Sequence, residues 1–74
     1  MFYKFKYGLY PLEKTLFFVS MVNGNNYLCV SCGSELRHIP MEEETIYRFL
    51  NALCEQIEDG NNIIYEEKIL HRIS

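Results

Sequence analysis

Thr15-Leu16-Phe17-Phe18-Val19-Ser20-Met21-Val22, then Asn23-Gly24-Asn25-Asn26, then Tyr27-Leu28-Cys29-Val30-Ser31-Cys32: two β-rich runs flank a cluster of Asn and Gly. Asn and Gly tolerate the positive φ angles that tight hairpin turns require, so this stretch predicts an antiparallel hairpin. Upstream, Phe2 to Tyr7 alternates, with Phe2, Lys4 and Lys6 on one face and Tyr3, Phe5 and Tyr7 on the other, the period of a half-buried strand. Gly8 to Pro11 interrupts that pattern.

Downstream, the period changes. Pro40 precedes Met41, and Glu42, Glu43 and Glu44 fill a first turn, where carboxylates meet the positive end of a helix dipole. Ile46, Phe49, Leu50, Leu53 and Ile57 then form one apolar stripe at helical spacing. Gly60 sits where a left-handed residue closes a helix. Beyond it, Ile63, Tyr65, Ile69 and Ile73 fit a last strand, while Glu66-Glu67-Lys68 equally suits a short helix. The expected architecture is α+β: an antiparallel sheet of three or four strands in β-β-β-α-β order, with one amphipathic helix across a face.

With 74 residues, a single domain spanning 1–74 is expected, and it buries only about 60% of the surface its unfolded chain exposes. No run approaches the roughly 20 apolar residues of a membrane span, and the N-terminus has no secretory pattern, so a soluble, cytoplasmic protein is expected. Three cysteines argue against a closed disulfide framework and for free thiols in a reducing compartment. A pocket with several convergent polar groups needs scaffold that so short a chain hardly offers. A non-enzymatic protein without a cofactor is therefore expected.

The charge of −3 is unevenly spread. Residues 1–14 are net basic through Lys4, Lys6 and Lys14, while residues 41–60 carry Glu42, Glu43, Glu44, Glu55, Glu58 and Asp59 against Arg48 alone. On a helix, Glu44, Arg48, Asn51, Glu55 and Glu58 share an outer face, with Glu44 and Glu58 about 21 Å apart. A row of carboxylates at that spacing imitates phosphates and is drawn to a basic channel. A solvated helix face is the simpler account of the same residues.

Three other patterns carry chemistry. Cys29-Val30-Ser31-Cys32-Gly33 has the shape of one zinc knuckle; the alternative places the two cysteines on opposite faces of a strand as small hydrophobes. The aromatic and lysine alternation of residues 2–7 could stack bases, although the acidic balance makes direct nucleic-acid binding unexpected. Finally, a thin core and an open sheet edge make a homodimer an economical way to bury more apolar surface. His38 and His71 are isolated and read as ordinary surface or half-buried histidines.

A short acidic chain rich in Asn, Ile, Tyr and Glu resembles the small early proteins of phages that infect low-GC bacteria. In length and charge it is most similar to the phage inhibitors of the bacterial β sliding clamp. Glu13-Lys14-Thr15-Leu16-Phe17 is similar to the clamp-binding pentapeptide at Thr15, Leu16 and Phe17, while Glu13 and Lys14 depart from its Gln and Leu. The resemblance implies an inhibitor that blocks DNA replication by occupying the DNA channel of a host protein, with Glu44, Glu55, Glu58 and Asp59 against its basic residues. An inhibitor of a CRISPR-type nuclease differs from this only in its target.

Overall fold

The computed structural model describes all 74 residues, Met1–Ser74. Six strands and two helices follow one another as β1 (Phe2–Phe5), β2 (Gly8–Pro11), β3 (Thr15–Val22), β4 (Asn25–Cys32), β5 (Glu35–Pro40), α1 (Glu43–Glu58), β6 (Ile63–Tyr65) and α2 (Glu66–Ile73), with a single 3-10 turn at Leu12–Lys14. The class is α+β. The strands divide into two three-stranded sheets, β2-β1-β6 and β3-β4-β5, where one sheet and one helix were expected.

The hairpin of residues 15–32 forms around a loop of two residues. Asn23 (φ 52°) and Gly24 (φ 80°) are both left-handed, the conformation whose twist suits adjoining antiparallel strands. Pairing then runs unbroken from Val22↔Asn25 to Thr15↔Cys32, so Asn25 and Asn26 belong to the strand. Gly33-Ser34 makes a second two-residue loop, and β5 pairs with β4 from Cys32↔Glu35 to Tyr27↔Pro40. Strand β5 is not legible locally because Glu35, Arg37, His38 and Pro40 lack a β-rich signature; pairing with β4 overrides propensity.

The other sheet is mixed. β1 and β2 are antiparallel about Lys6-Tyr7, and β6 joins β1 in parallel, Phe2↔Ile63 to Lys4↔Tyr65. β2 contradicts the reading of Gly8–Pro11 as a plain interruption. The Phe5 ring explains its glycine, since a Cβ on Gly8 would stand 2.8 Å from Phe5 Cζ. The tail resolves as both alternatives in succession: β6 buries Ile64, and α2 turns Ile69 inward.

The core lies between these layers. Tyr3, Phe5, Tyr10 and Ile64 from the mixed sheet meet Leu28 and Val30 of β4, Ile46, Phe49, Ala52 and Leu53 of α1, and Ile69 of α2. Full burial of a side chain such as Phe49 contributes about 1.5–3 kcal/mol. The α1 stripe ends at Leu53, because Ile57 remains 39% exposed. Gly60, left-handed at φ +73°, closes the helix, its N–H donating to Ile57 O at 3.0 Å. No helix is long and apolar enough to cross a membrane.

Candidate functional site

Because Ile46, Phe49 and Leu53 hold one side of α1 against the core, its carboxylates face water. Glu42, Glu43, Glu44, Glu55, Glu58 and Asp59 are all exposed. They are not equivalent. Glu44 accepts from Arg48 at 3.4 Å one turn on, and Glu55 is paired with Arg72 of α2. Glu42, Glu43, Glu58 and Asp59 have no cationic partner.

The two ends of α1 also differ in what their charges do for the helix. Glu42 stands at the N-cap position without a side-chain hydrogen bond to the helix, and Glu43 and Glu44 lie in the first turn, where negative charge complements the dipole. Glu55, Glu58 and Asp59 cluster at the opposite end, and no basic residue lies in the last turn. Carboxylates there face the negative end of the dipole and destabilise the helix. Helix stability accounts for the first cluster, and the Arg72 ion pair accounts for Glu55, but neither accounts for Glu58 and Asp59.

The structure corrects the zinc-knuckle alternative. Cys29 and Cys32 lie three residues apart on β4 and so on opposite faces. Cys29 is fully buried between its cross-strand neighbours Phe18 and His38, whereas Cys32 is half-buried against the core. One ion cannot reach both thiols. Cys54 is exposed on α1, all three cysteines are free, and no three His, Cys, Asp or Glu residues cluster as a metal site would require. His38 and His71 are both exposed.

The base-stacking face does not assemble either. Tyr3 and Phe5 are core residues, and β1 is the central strand of its sheet. Of its aromatics, Tyr7 in the turn is 84% exposed and Phe2 at the start of the strand 42%, and the two core rings stand between them. In the segment similar to the clamp-binding pentapeptide, Leu16 is exposed and Phe17 is turned inward, its ring edge-on to Tyr3 at 4.9 Å between centroids. Insertion of Phe17 into a partner's pocket would first require its removal from that contact.

One polar cluster has no sequence signal at all. Glu66, the first residue of α2, is the one buried charged residue. Tyr3 donates to its Oε1 at 2.6 Å, and Arg37 grips both oxygens, Nη1 to Oε1 at 2.8 Å and Nη2 to Oε2 at 2.9 Å. The guanidinium also lies 4.1 Å from the centre of the Phe5 ring, a favourable cation–π distance. Burial, reinforced by the Glu66 carboxylate, pushes the Tyr3 phenol well above its ordinary value, and the hydrogen bond to Glu66 raises Arg37. Residues 3, 37 and 66 thus tie both sheets to α2.

Beside the cluster lies an open trough of about 700 Å³, lined by Phe5, Leu9, Tyr10, Glu35, Leu36 and Arg37 among others. Its one cation, Arg37, is already held bidentately by Glu66, so the trough offers a ligand aromatic and aliphatic surface beside the Glu35 carboxylate. No protein-family model, curated protein or solved structure matches the chain.

Proposed function

We propose that this is a non-enzymatic protein-binding inhibitor that uses the outer face of α1 to occupy the basic DNA-binding surface of a DNA-handling protein. The observation that carries the reading is the pair Glu58 and Asp59, exposed at the wrong end of the helix dipole and without a cationic partner. Surface carboxylates that oppose the fold's own electrostatics fit a role outside the fold. Glu44 extends the same face, and Glu42 and Glu43 add negative charge at the far end of the helix. The bacterial β sliding clamp is the target suggested by the resemblance in length and charge, with phage origin and a host cytoplasmic setting as parts of the same proposal.

Charge mimicry makes the energetics those of phosphate contacts: fast association and steep salt dependence. The decisive experiment titrates the protein with purified β sliding clamp between about 50 mM and about 200 mM salt. The double variant Glu58→Lys, Asp59→Lys touches no ion pair in the structure. It should bind at least about tenfold more weakly, about 1.4 kcal/mol, while its thermal midpoint holds or rises by a few degrees because the dipole now meets positive charge. Undiminished affinity in that variant sinks the mimicry. If the clamp does not bind, a pull-down from bacterial lysate washed at low and then high salt tests other DNA-handling proteins, and an empty result removes the reading.

A further inference from the structure

The two sheets have four lateral edges, and three are guarded. β2 is four residues long and ends in Pro11, and β6 has only three residues. β5 carries Glu35 and Arg37 and ends in Pro40. Short strands, charges and prolines are the devices that stop sheets from pairing at their edges. β3 has none of them. It is eight residues long, Thr15–Val22, pairs with β4 without a bulge, and contains no charged residue and no proline. The charge-free stretch in fact runs from Thr15 to Ser34.

The free hydrogen-bonding groups of this edge can be assigned. The Met41 N–H donates to Asn26 O at 3.2 Å, which makes the even-numbered residues of β4 the partners of β5 and the odd-numbered ones the partners of β3. Antiparallel ladders alternate in this way. By the registers, Leu16, Phe18, Ser20 and Val22 bond to β4, while Phe17, Val19 and Met21 direct their N–H and C=O outward. By the same count Pro40 stands at an outward position of β5, where a donor is missing.

Apolar side chains are exposed on both sides of β3: Leu16, Phe18 and Val22 on the outer face, Val19 and Met21 on the inner. A slab laid on one face would cover only one set. A strand laid alongside flanks both.

We infer that the β3 edge seats a second copy of this chain, the two strands pairing antiparallel about a twofold axis through Val19. That register places Val19 against its own copy, Phe17 against Met21, Leu16 against Val22 and Phe18 against Ser20, so every exposed apolar residue except Phe18 meets an apolar one and all three outward-facing residues find partners. No like charges oppose one another, because neither β3 nor β4 carries any. Leu16, Phe18, Val19, Met21 and Val22 leave much of their side-chain surface in water, and a strand alongside covers the part of it that flanks the seam. The assembly also closes. Pairing consumes both β3 edges and yields a six-stranded sheet, β5-β4-β3-β3-β4-β5, whose new outer edges are the two Pro40-guarded β5 strands, so growth stops at two. The dimer stands independently of the proposed target.

Sedimentation velocity of the full chain from about 1 μM to about 1 mM covers the relevant range of affinities. The expected result is a monomer–dimer equilibrium in the wild type and a monomer in Val19→Lys, which sets two ammonium groups across the axis. Met21→Lys, at a side chain 66% exposed, is the second disrupting variant should the first fail to fold by circular dichroism. Tyr47→Lys, on exposed α1 surface, should dimerise like the wild type. A wild type monomeric throughout, a dimer that survives both β3 variants, or association that continues past two copies would each overturn the inference.

Discussion

The Tyr3 hydroxyl and the Glu66 carboxylate, 63 residues apart in the chain, meet at 2.6 Å inside the core. Strand β1 and helix α2 are thereby locked together, and Arg37 brings in the edge strand of the second sheet through the same carboxylate. A buried carboxylate is tolerable here only because both oxygens are engaged.

Removal of one partner should therefore cost far more than removal of the pair. Arg37→Met leaves Glu66 buried with a single hydroxyl and should destabilise by about 3–5 kcal/mol. That is a large share of the roughly 4–11 kcal/mol available to a chain of this length. Adding Glu66→Met to it should recover most of the loss. Tyr3→Phe, which leaves the bidentate pair intact, should cost only about 1–2 kcal/mol. A urea double-mutant cycle on Arg37 and Glu66 measures the coupling directly, and additive losses would show that the pair is not a unit.

The raised Tyr3 phenol makes a prediction about alkali. In the unfolded chain it titrates at its ordinary value of 10.0; in the fold it keeps its proton to higher pH. Its contribution is thus fully present below pH 10.0 and is lost as pH climbs above it, when only the unfolded state releases the proton. Urea midpoints at about pH 8 and about pH 11 should fall more steeply in the wild type than in Tyr3→Phe. Equal slopes would mean that another group governs alkaline unfolding.

Gly24→Ala isolates the backbone term of the hairpin. A Cβ at Gly24 meets nothing within 4 Å, yet φ is +80°, so strain in the left-handed region is the whole effect. A loss of about 1 kcal/mol is expected, read as a lower urea midpoint with an unchanged slope. A neutral result would show that the turn does not constrain the register.

The thiols should react in order of their exposure. Cys54 is exposed, Cys32 half-buried and Cys29 fully buried. A thiol reagent added to native protein should label one cysteine rapidly, a second slowly, and the third only with denaturant. Fast labelling of Cys29 would place it on an accessible face.

Much of the architecture was legible because its signals are local. Asn23-Gly24 specifies a turn by its φ angles, and the stripe Ile46, Phe49, Leu53 specifies a helix and its buried face. Gly8–Pro11 and Glu35–Pro40 hid their strands because Gly, Pro and charged residues are poor strand formers; each is an edge strand held by a stronger neighbour. The acidic residues of the candidate face were legible as an outward row, although the pairing of Glu55 with Arg72 was not, since those residues are 17 positions apart on different helices.

The sequence by itself thus determined the α+β class, the central hairpin, helix α1 and the segregation of acid onto that helix, because turn chemistry and periodicity act within about a dozen residues. Tertiary structure alone decided that β1 pairs in parallel with β6, that Glu66 is buried beneath Tyr3 and Arg37, and that β3 is the one unguarded edge. Those outcomes depend on which apolar surfaces find each other across tens of residues, and that choice is made by burial in a shared core, where local propensity has no say.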